Sequence, residues 1–171
     1  MFILGVDPGL ARVGWGIVDY KGGKFTTIAY GAIETQPGVD VEYRIERVYD
    51  GLNRIIEKYR PEEMAVEELF FNNNSKTAIA VAEARGAILL CGVKNGMRIA
   101  EYTPLQVKQA VVGYGRADKK QVITMVNVLL KLEKGPKLDD TSDALAVAIC
   151  HAHSSASLIG TYYNEKKKKL L

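Results

Sequence analysis

The first 34 residues hold three strand-like segments separated by compact turn signals, and this feature constrains the fold most. Phe2 to Val6 is short and apolar, and it ends at Asp7-Pro8-Gly9, a typical turn sequence. Val13 to Asp19 is followed by Lys21-Gly22-Gly23, which predicts a hairpin turn, and then by a third strand from Phe25 to Glu34. We therefore expect the chain to open as an antiparallel meander.

After this meander the apolar period changes. From Val41 to Tyr59 apolar side chains recur at helical spacing, and Pro61 marks the end of that helix. Two further strands are predicted, Met64 to Leu69 and Met97 to Glu101. Four further helices are also predicted. The first runs from Ser75 to Val93, the second begins after the N-cap Thr103 with Pro104, the third runs from Asp118 through Leu130, and the last begins at Asp139 or Asp140 and continues past Cys150. This order predicts an α/β fold, with a mixed five-stranded sheet flanked by helices and three antiparallel strands at one side.

Four carboxylates stand out because the predicted elements can bring them together. Asp7 ends the first strand, and Glu67 lies at the C-terminal end of the fourth. Asp140 and Asp143 are three residues apart at the start of the last helix, so they share a face. Sites in open α/β sheets gather beyond the carboxyl ends of strands. If the first and fourth strands are neighbours, Asp7 and Glu67 lie side by side, and the last helix can add its two aspartates.

Such a cluster would repel itself without a cation, and carboxylate and water oxygens are the ligands that Mg²⁺ prefers. Two ions roughly 4 Å apart can activate water and stabilise the leaving oxygen in phosphodiester hydrolysis. Zinc is not indicated, because the chain has no cysteine–histidine grouping, and His151 and His153 face different ways on a helix. The pattern therefore favours magnesium-dependent phosphodiester chemistry.

Each carboxylate also has a purely structural explanation when taken alone. An aspartate before Pro-Gly is often only a turn residue, and the aspartates of the last helix could cap it and complement its dipole. The pair Glu67-Glu68 is harder to explain this way, because buried carboxylates are costly unless they are paired or metal-bound. Because neighbouring strand residues point to opposite faces, only one of Glu67 and Glu68 can join a site. A second choice is open on the last helix, where either Asp139 or Asp140 can share a face with Asp143.

Size and charge narrow the functional classes. A chain of 171 residues suits one domain with one core, and we expect that domain over residues 1–155. The formal net charge is +3, and four lysines (Lys166 to Lys169) against Glu165 give the tail from Gly160 onward the same +3, so the body is neutral. Any case for nucleic acid therefore rests on local patches. We expect residues 156–171 to be a basic, solvated tail.

Cysteine and apolar patterns indicate the cellular setting. Cys91 and Cys150 lie far apart in apolar stretches, which fits a reducing cytoplasm. The longest apolar run, Ala144 to Cys150, is too short to cross a bilayer, so we expect no membrane partner. No basic region precedes the apolar start of the chain, which argues against a signal peptide.

Several stretches resemble the signatures of the RuvC family of Holliday-junction resolvases. They are Gly5-Val6-Asp7-Pro8-Gly9 followed by Gly14-Trp15-Gly16, Val66-Glu67 leading to Phe70, Gln106 to Gly115, and Asp140 to Ala148. The resemblance covers residues 1 to 153 in the expected order. The combination is highly specific, whereas the Asp-Pro-Gly piece alone is weak.

The resemblance implies an RNase H-like fold, a homodimer, and paired symmetric nicks in opposing strands of four-way junction DNA during recombination and repair. It selects Asp7, Glu67, Asp140 and Asp143 as the metal-binding catalytic set, so Glu67 is preferred to Glu68 and Asp140 to Asp139. It also implies two Mg²⁺ ions per site, with Mn²⁺ able to substitute, and a branch-migration helicase complex as a partner.

A basic cluster of Lys108, Arg116, Lys119 and Lys120 flanks the loop Gly113-Tyr114-Gly115. It could hold phosphates or steady charge in the transition state, and the alternative is an ordinary solvated face. The resemblance favours DNA binding, because Lys108 and Lys119 match lysines that are important in the family.

Two aromatic residues follow the fourth strand. Phe71 could belong to the core, whereas Phe70 by resemblance matches an aromatic that stacks on bases at the opened junction. Stacking on an unpaired base is worth about 1–3 kcal/mol. We therefore expect Phe70 to contact DNA.

The Ala-rich helix that starts at Ser75 is apolar nearly all round, which predicts burial on two sides. The sheet can supply one side and a second subunit the other, and a C₂ dimer matches two-fold symmetric DNA. The alternative is a central helix that is buried within one monomer.

Three other functions are alternatives to junction resolution. An RNase H-like RNA-processing nuclease shares the Asp-x-Gly opening but not the stretches around Lys108 and Phe70. An actin-like ATP-binding domain needs a second lobe, which 171 residues cannot hold. A protein that binds junctions without cutting them would not need all four carboxylates.

Overall fold

The computed structural model describes residues 1–69, 75–133 and 135–156, and these form a five-stranded sheet with helices on both faces. The strands are β1 Phe2–Asp7, β2 Arg12–Lys21, β3 Lys24–Glu34, β4 Glu63–Glu67 and β5 Arg98–Tyr102. The helices are α1 Val41–Tyr59, α2 Ser75–Lys94, α3 Pro104–Val112, α4 Lys119–Leu130 and α5 Asp139–Ala156.

The strand order is β3-β2-β1-β4-β5, and it confirms the predicted mixed sheet with three antiparallel strands at one side. β1 pairs antiparallel with β2, and β2 pairs antiparallel with β3. β4 lies parallel to both β1 and β5. Because β1 and β4 are parallel neighbours, their C-terminal residues Asp7 and Glu67 reach the same edge of the sheet.

Local signals explain most of the element boundaries. Gly22 and Gly23 both have positive φ (57° and 78°), as a tight hairpin with the twist of its strands requires. Thr103 and Asp118 each form a complete capping box with a glutamine three residues later, at the starts of α3 and α4.

The boundaries of β4 differ from the expectation. We predicted Met64 to Leu69, whereas the strand runs from Glu63 to Glu67. Glu63 is buried at its start because its carboxylate has partners on β5 and α5. A charged residue with distant partners can therefore occupy a strand position that composition alone would exclude.

The two faces of the sheet carry separate apolar clusters. One lies under α1 and α2 and includes Leu4, Val6, Val13, Ile17, Met64 and Val66. The other lies under α3, α4 and α5 and includes Ile3, Val18, Ala65 and the apolar residues of α5. By alternation along β1 and β4, Asp7 and Glu67 lie on the α5 face together with Ile3 and Ala65.

Helix α5 rests directly on the backbone of the sheet because glycines leave room for it. A Cβ atom at Gly5 would lie 2.0 Å from the carbonyl oxygen of Ala144, and one at Gly14 would lie 1.9 Å from that of Asp140. Both approaches are far shorter than any side chain permits, so glycine is required at both positions. In the register of β1 and β2, Gly14 pairs with Asp7. The glycines therefore allow the first turn of α5 to sit beside Asp7.

Both cysteines, Cys91 and Cys150, are buried and unpaired. Burial raises the pKa of the Cys91 thiol to about 11 and that of Cys150 to about 12. No helix among the described residues combines the length and the apolarity that a membrane crossing needs.

Candidate active site

Asp7 and Glu67 are the two strand residues of the site, and they form a hydrogen bond with each other. Val6 pairs with Val66 in the parallel register, so the residues that follow are adjacent. Burial raises the pKa of Asp7 to about 8, and repulsion from Glu67, Asp143 and Asp140 adds to this effect. The site therefore disfavours full ionisation of its carboxylates when no cation is present.

The ionised form of Glu67 is disfavoured for the same reasons. Burial raises its pKa to about 7 and Asp143 adds repulsion, while the hydrogen bond with Asp7 and the positive charges of Lys119 and Lys108 oppose the rise. Glu68 lies after the end of β4, where its backbone N–H donates to the carbonyl oxygen of Tyr102. Of the two neighbouring glutamates, Glu67 is the one in contact with Asp7.

The N-terminal part of α5 adds Asp143, which is held by a lysine from α4. The Lys119 Nζ atom lies 3.0 Å from Asp143 Oδ2 and 3.4 Å from Asp139 Oδ2. Burial raises the pKa of Asp143, although its hydrogen bond with Lys119 opposes the rise. Asp139 is much more exposed than Asp143.

Asp140 makes a different contact, which the sequence analysis did not foresee. Arg12 Nη1 lies 3.0 Å from Asp140 Oδ2, and Arg12 Nε lies 3.0 Å from Glu34 Oε1. Arg12 directly follows the predicted turn, but it is 128 residues away from Asp140. No local pattern could have paired the two, and only the packing of α5 on β2 brings them together.

The donor set fits a hard divalent cation. Asp7, Glu67, Asp140 and Asp143 are all carboxylates, and a bound cation would counter the burial and the repulsion that raise the pKa values of Asp7, Glu67 and Asp143. As the side chains stand, no three Asp, Glu, His or Cys residues within 1–69, 75–133 and 135–156 are grouped closely enough to hold an ion. Two of the four carboxylates are instead neutralised by Arg12 and Lys119.

The predicted DNA-binding residues are distributed unevenly. Lys119 contacts the carboxylates directly, and Lys108 is near enough to lower the pKa of Glu67. Arg116 and Lys120 are exposed, and neither forms an ion pair with another described residue. Phe70, Phe71 and the lysine tail from Lys166 to Lys169 lie outside the described residues.

Comparisons with known proteins place this geometry in context. The sequence model of one family, described as "Crossover junction endodeoxyribonuclease RuvC", matches residues 3–151. Similar curated proteins of that name occur in Caldanaerobacter subterraneus subsp. tengcongensis (58% identity, covering 92% of this chain and 96% of the relative) and in Clostridioides difficile (57% identity, covering 91% and 92%).

Solved structures agree. Thermus thermophilus RuvC in complex with Holliday junction substrate is similar with a TM-score of 0.85 and 36% identity, covering 89% of this chain and 93% of that chain. A second Thermus thermophilus RuvC structure is similar with a TM-score of 0.83 and 35% identity, covering 91% and 95%.

Proposed function

The chain belongs to the RuvC family of crossover junction endodeoxyribonucleases, and on this premise we propose that Asp7, Glu67, Asp140 and Asp143 form the catalytic set with which it cuts four-way DNA. The chain is a junction-resolving endonuclease with the RNase H-like fold that the sequence predicted. The proposal concerns which residues and which metal ions perform the cleavage.

One observation carries the assignment. Four carboxylates from β1, β4 and α5, spread over more than 130 positions of the chain, lie so close together that, after burial, the charges of Glu67, Asp143 and Asp140 raise the pKa of Asp7. Carboxylates whose pKa values are raised by burial together with neighbouring carboxylates are a physical feature of functional sites. Glu68 and Asp139 are the sequence neighbours that could have taken these places. Glu68 lies beyond the end of β4, and Asp139 is largely exposed.

The roles follow from the chemistry of each side chain. Asp7 and Glu67 are the most buried members, so they would hold the cations deepest, and Asp140 and Asp143 would complete the shell from α5. Two bound Mg²⁺ ions, for which Mn²⁺ can substitute, would supply an activated water and neutralise the leaving oxygen. Lys119 and Lys108 approach the carboxylates from outside, where they can hold a scissile phosphate in place.

DNA contacts extend beyond the carboxylates in this proposal. Arg116 and Lys120 are exposed near Lys119 and free to meet the phosphate backbone of a junction arm. Phe70 would stack on an unpaired base at the branch point. We expect Phe70→Ala to lower the cleavage rate of intact junctions more than that of junctions with unpaired centres. Equal losses on the two substrates would contradict a stacking role.

A homodimer is supported by the uneven exposure of α2. Ala84 and Ile88 are fully buried against the chain itself, whereas Ile79, Leu90 and Val93 remain 68%, 54% and 64% exposed. A second copy that covers this face would give two active sites related by a two-fold axis, as paired symmetric nicks require. From the resemblance, a branch-migration helicase complex would deliver the junction. Two free, buried thiols suit a cytoplasmic enzyme.

The decisive experiment compares a labelled synthetic four-way junction, a linear duplex of the same sequence and an RNA counterpart, with Mg²⁺ and with chelator. Paired symmetric nicks in the junction alone, abolished by chelator, are the expected result. Binding without cleavage under any divalent ion would indicate a protein that only holds junctions. Cleavage of RNA instead of the junction would indicate an RNA-processing nuclease.

A further inference from the structure

Glu63, at the end of β4 that is remote from the carboxylate cluster, belongs to a second group of polar side chains, of which Glu63 and His151 are buried. His151 Nε2 on α5 lies 2.6 Å from Glu63 Oε2, and His151 Nδ1 lies 2.8 Å from the hydroxyl oxygen of Tyr102 on β5. Arg98 forms an ion pair with the other oxygen of Glu63. We call these four residues the Glu63 network.

The hydrogen bonds of the Glu63 network fit together in one arrangement. The hydrogen bond from His151 and the attraction of Arg98 lower the pKa of Glu63, so its carboxylate only accepts. His151 Nε2–H therefore donates to Glu63, and in the neutral imidazole Nδ1 accepts from the Tyr102 hydroxyl. Burial raises the pKa of Tyr102 to about 12, which keeps that donor protonated. The network thus ties α5 to both β4 and β5.

The network and the catalytic carboxylates lie on the same strand face and the same helix row. Glu63, Ala65 and Glu67 occupy alternate positions of β4, and Asp143, Val147 and His151 are spaced four apart on α5. Ala65 and Val147 belong to the same buried cluster. Glu63 and His151 are in contact at one end of this set, and Asp143 influences the pKa of Glu67 at the other.

The spacings along the two elements also match. Four residues of strand span about 13 Å. Eight residues of helix span about 12 Å. The close approach at Gly5 and Gly14 sets the height of α5 above the sheet. Arg12 and Asp140 join the start of α5 to β2. The Glu63 network joins the later part of α5 to β4, because its bonds hold His151 at one position along the strand.

We propose that Glu63, His151 and Tyr102 are positioning residues, which fix α5 along β4 and thereby set the separation between Asp143 and Glu67. The proposal rests on the catalytic set proposed above. Tyr102 pairs with Glu67 in the register of β4 and β5, but its hydroxyl lies at His151, and no hydrogen bond or ion pair among the described residues joins the side chains of the three to the catalytic carboxylates. We therefore infer that they act through the helix and the strand. An error of about 1 Å in the placement of catalytic groups can lower a rate by about 100-fold.

The test is Glu63→Gln in the full chain, which keeps the shape of the side chain but removes its charge. Single-turnover cleavage of a saturated four-way junction should slow by about 10-fold or more, while the junction Kd changes by less than about twofold. Mg²⁺ should raise the melting temperature of the protein, and the Mg²⁺ concentration that gives half of this increase should be higher for Glu63→Gln than for the unchanged chain. This last readout reports on the carboxylates without any cleavage.

Leu52→Ala is the matched control for lost stability. Leu52 is fully buried in the cluster on the other face of the sheet, away from α5. It should lower the melting temperature to a comparable extent and leave the single-turnover rate unchanged. Tyr102→Phe is a milder second variant that removes one hydroxyl, keeps the ring, and should slow cleavage by about threefold if the network positions the helix.

The outcomes separate this proposal from the one on which it rests. If Glu63→Gln and Tyr102→Phe cut at the rate of Leu52→Ala, the network only stabilises the fold and the positioning role is overturned. If Glu63→Gln does not fold, the rate of Tyr102→Phe decides alone. Asp143→Asn in the same assay tests the catalytic set itself, because normal cleavage by that variant would overturn the assignment of Asp143.

Discussion

The pKa values of buried carboxylates are shifted in opposite directions at the two ends of the β4–α5 pair. At the end that we propose to be catalytic and call the catalytic end, formed by Asp7, Glu67, Asp140 and Asp143, burial and mutual repulsion raise the pKa values of Asp7, Glu67 and Asp143. At the other end, Glu63 is only 6% exposed, yet its pKa is lowered because His151 and Arg98 satisfy it. The two glutamates are four residues apart on one strand.

The difference shows what distinguishes a binding site from a structural contact. The Glu63 network is complete within the chain, so it contributes to the stability of the fold. The catalytic end has more negative charge than the chain neutralises, and it needs an external cation to be at its most stable. Glu63 is the more buried carboxylate, at 6% exposed against 33% for Asp140 and 27% for Asp143, so the partners rather than burial decide which end can bind metal.

The largest expected effect comes from removing charge at the catalytic end. Glu67→Gln should lower the cleavage rate by about 10³-fold, because it deletes a ligand for cations that contribute several kcal/mol to the transition state. The junction Kd should change little, and in chelator the melting temperature should hold or rise, since a repulsive charge is gone. Single-turnover cleavage and thermal melting measure the two quantities. Glu68→Gln is the control, and a loss of cleavage in Glu68→Gln alone would reverse the assignment.

Removing charge at the other end should have the opposite signature. Glu63→Ala leaves His151 and Arg98 without their acceptor, and we expect the free energy of unfolding to fall by about 3 kcal/mol. Urea denaturation measures this change. The neighbouring Glu62→Ala, at a side chain that is 62% exposed, should cost less than about 1 kcal/mol. Equal losses in the two variants would show that the Glu63 network is not a stabilising contact.

A smaller effect is expected for the lysine that neutralises part of the catalytic end. Lys119→Gln should lower the cleavage rate by about 10-fold to 100-fold, since a charge beside the scissile phosphate is lost. It should also reduce the salt dependence of junction binding by about one phosphate contact. Lys21→Gln, in the hairpin at the opposite edge of the sheet, is the matched loss of charge. If both variants cut equally well, Lys119 serves only to hold Asp143.

The smallest expected effect is the pH dependence of stability without metal. The folded pKa values of Asp7 and Glu67 are raised to about 8 and about 7, so the stability that their protonation provides is present at low pH and lost as pH rises through those values. We expect the melting temperature in chelator to fall by about 5 °C between pH 6 and pH 9. Mg²⁺ or Asp7→Asn should reduce this fall. Glu63, whose pKa is lowered, stabilises the fold throughout this pH range and loses that contribution only in more acidic solution. An equal fall in Asp7→Asn would argue against the coupled pair.

Much of the fold was predictable because its signals are local. Helix α1 has the predicted bounds, Val41–Tyr59, since its apolar residues recur at helical spacing and Pro61 follows. The capping glutamines after Thr103 and Asp118 act within four residues, and so do the hairpin glycines. The adjacency of Asp7 and Glu67 also followed from strand ends and a parallel pairing of β1 with β4.

What could not be predicted depends on contacts between distant residues. Arg12 meets Asp140, and Glu63 meets His151 across 88 positions, through the packing of α5 on the sheet. No spacing rule connects such pairs. In the sequence His151 stands out only as a possible zinc ligand, and its spacing from His153 argues against that role. The sequence also does not show why Gly5 and Gly14 of the family motif must be glycines. The reason is that the backbone of α5 passes too close to leave room for a side chain at either position.

The burial of both thiols has a practical consequence. The chain contains two cysteines, and both are buried with raised pKa values, so neither should react readily with maleimide or nitroxide reagents at neutral pH. A cysteine introduced at the exposed Lys21 would therefore be the one reactive thiol. Labels at this position would report the distance between two copies of the chain, with and without DNA. The native sequence is thus already suited to site-specific spectroscopy without prior removal of its cysteines.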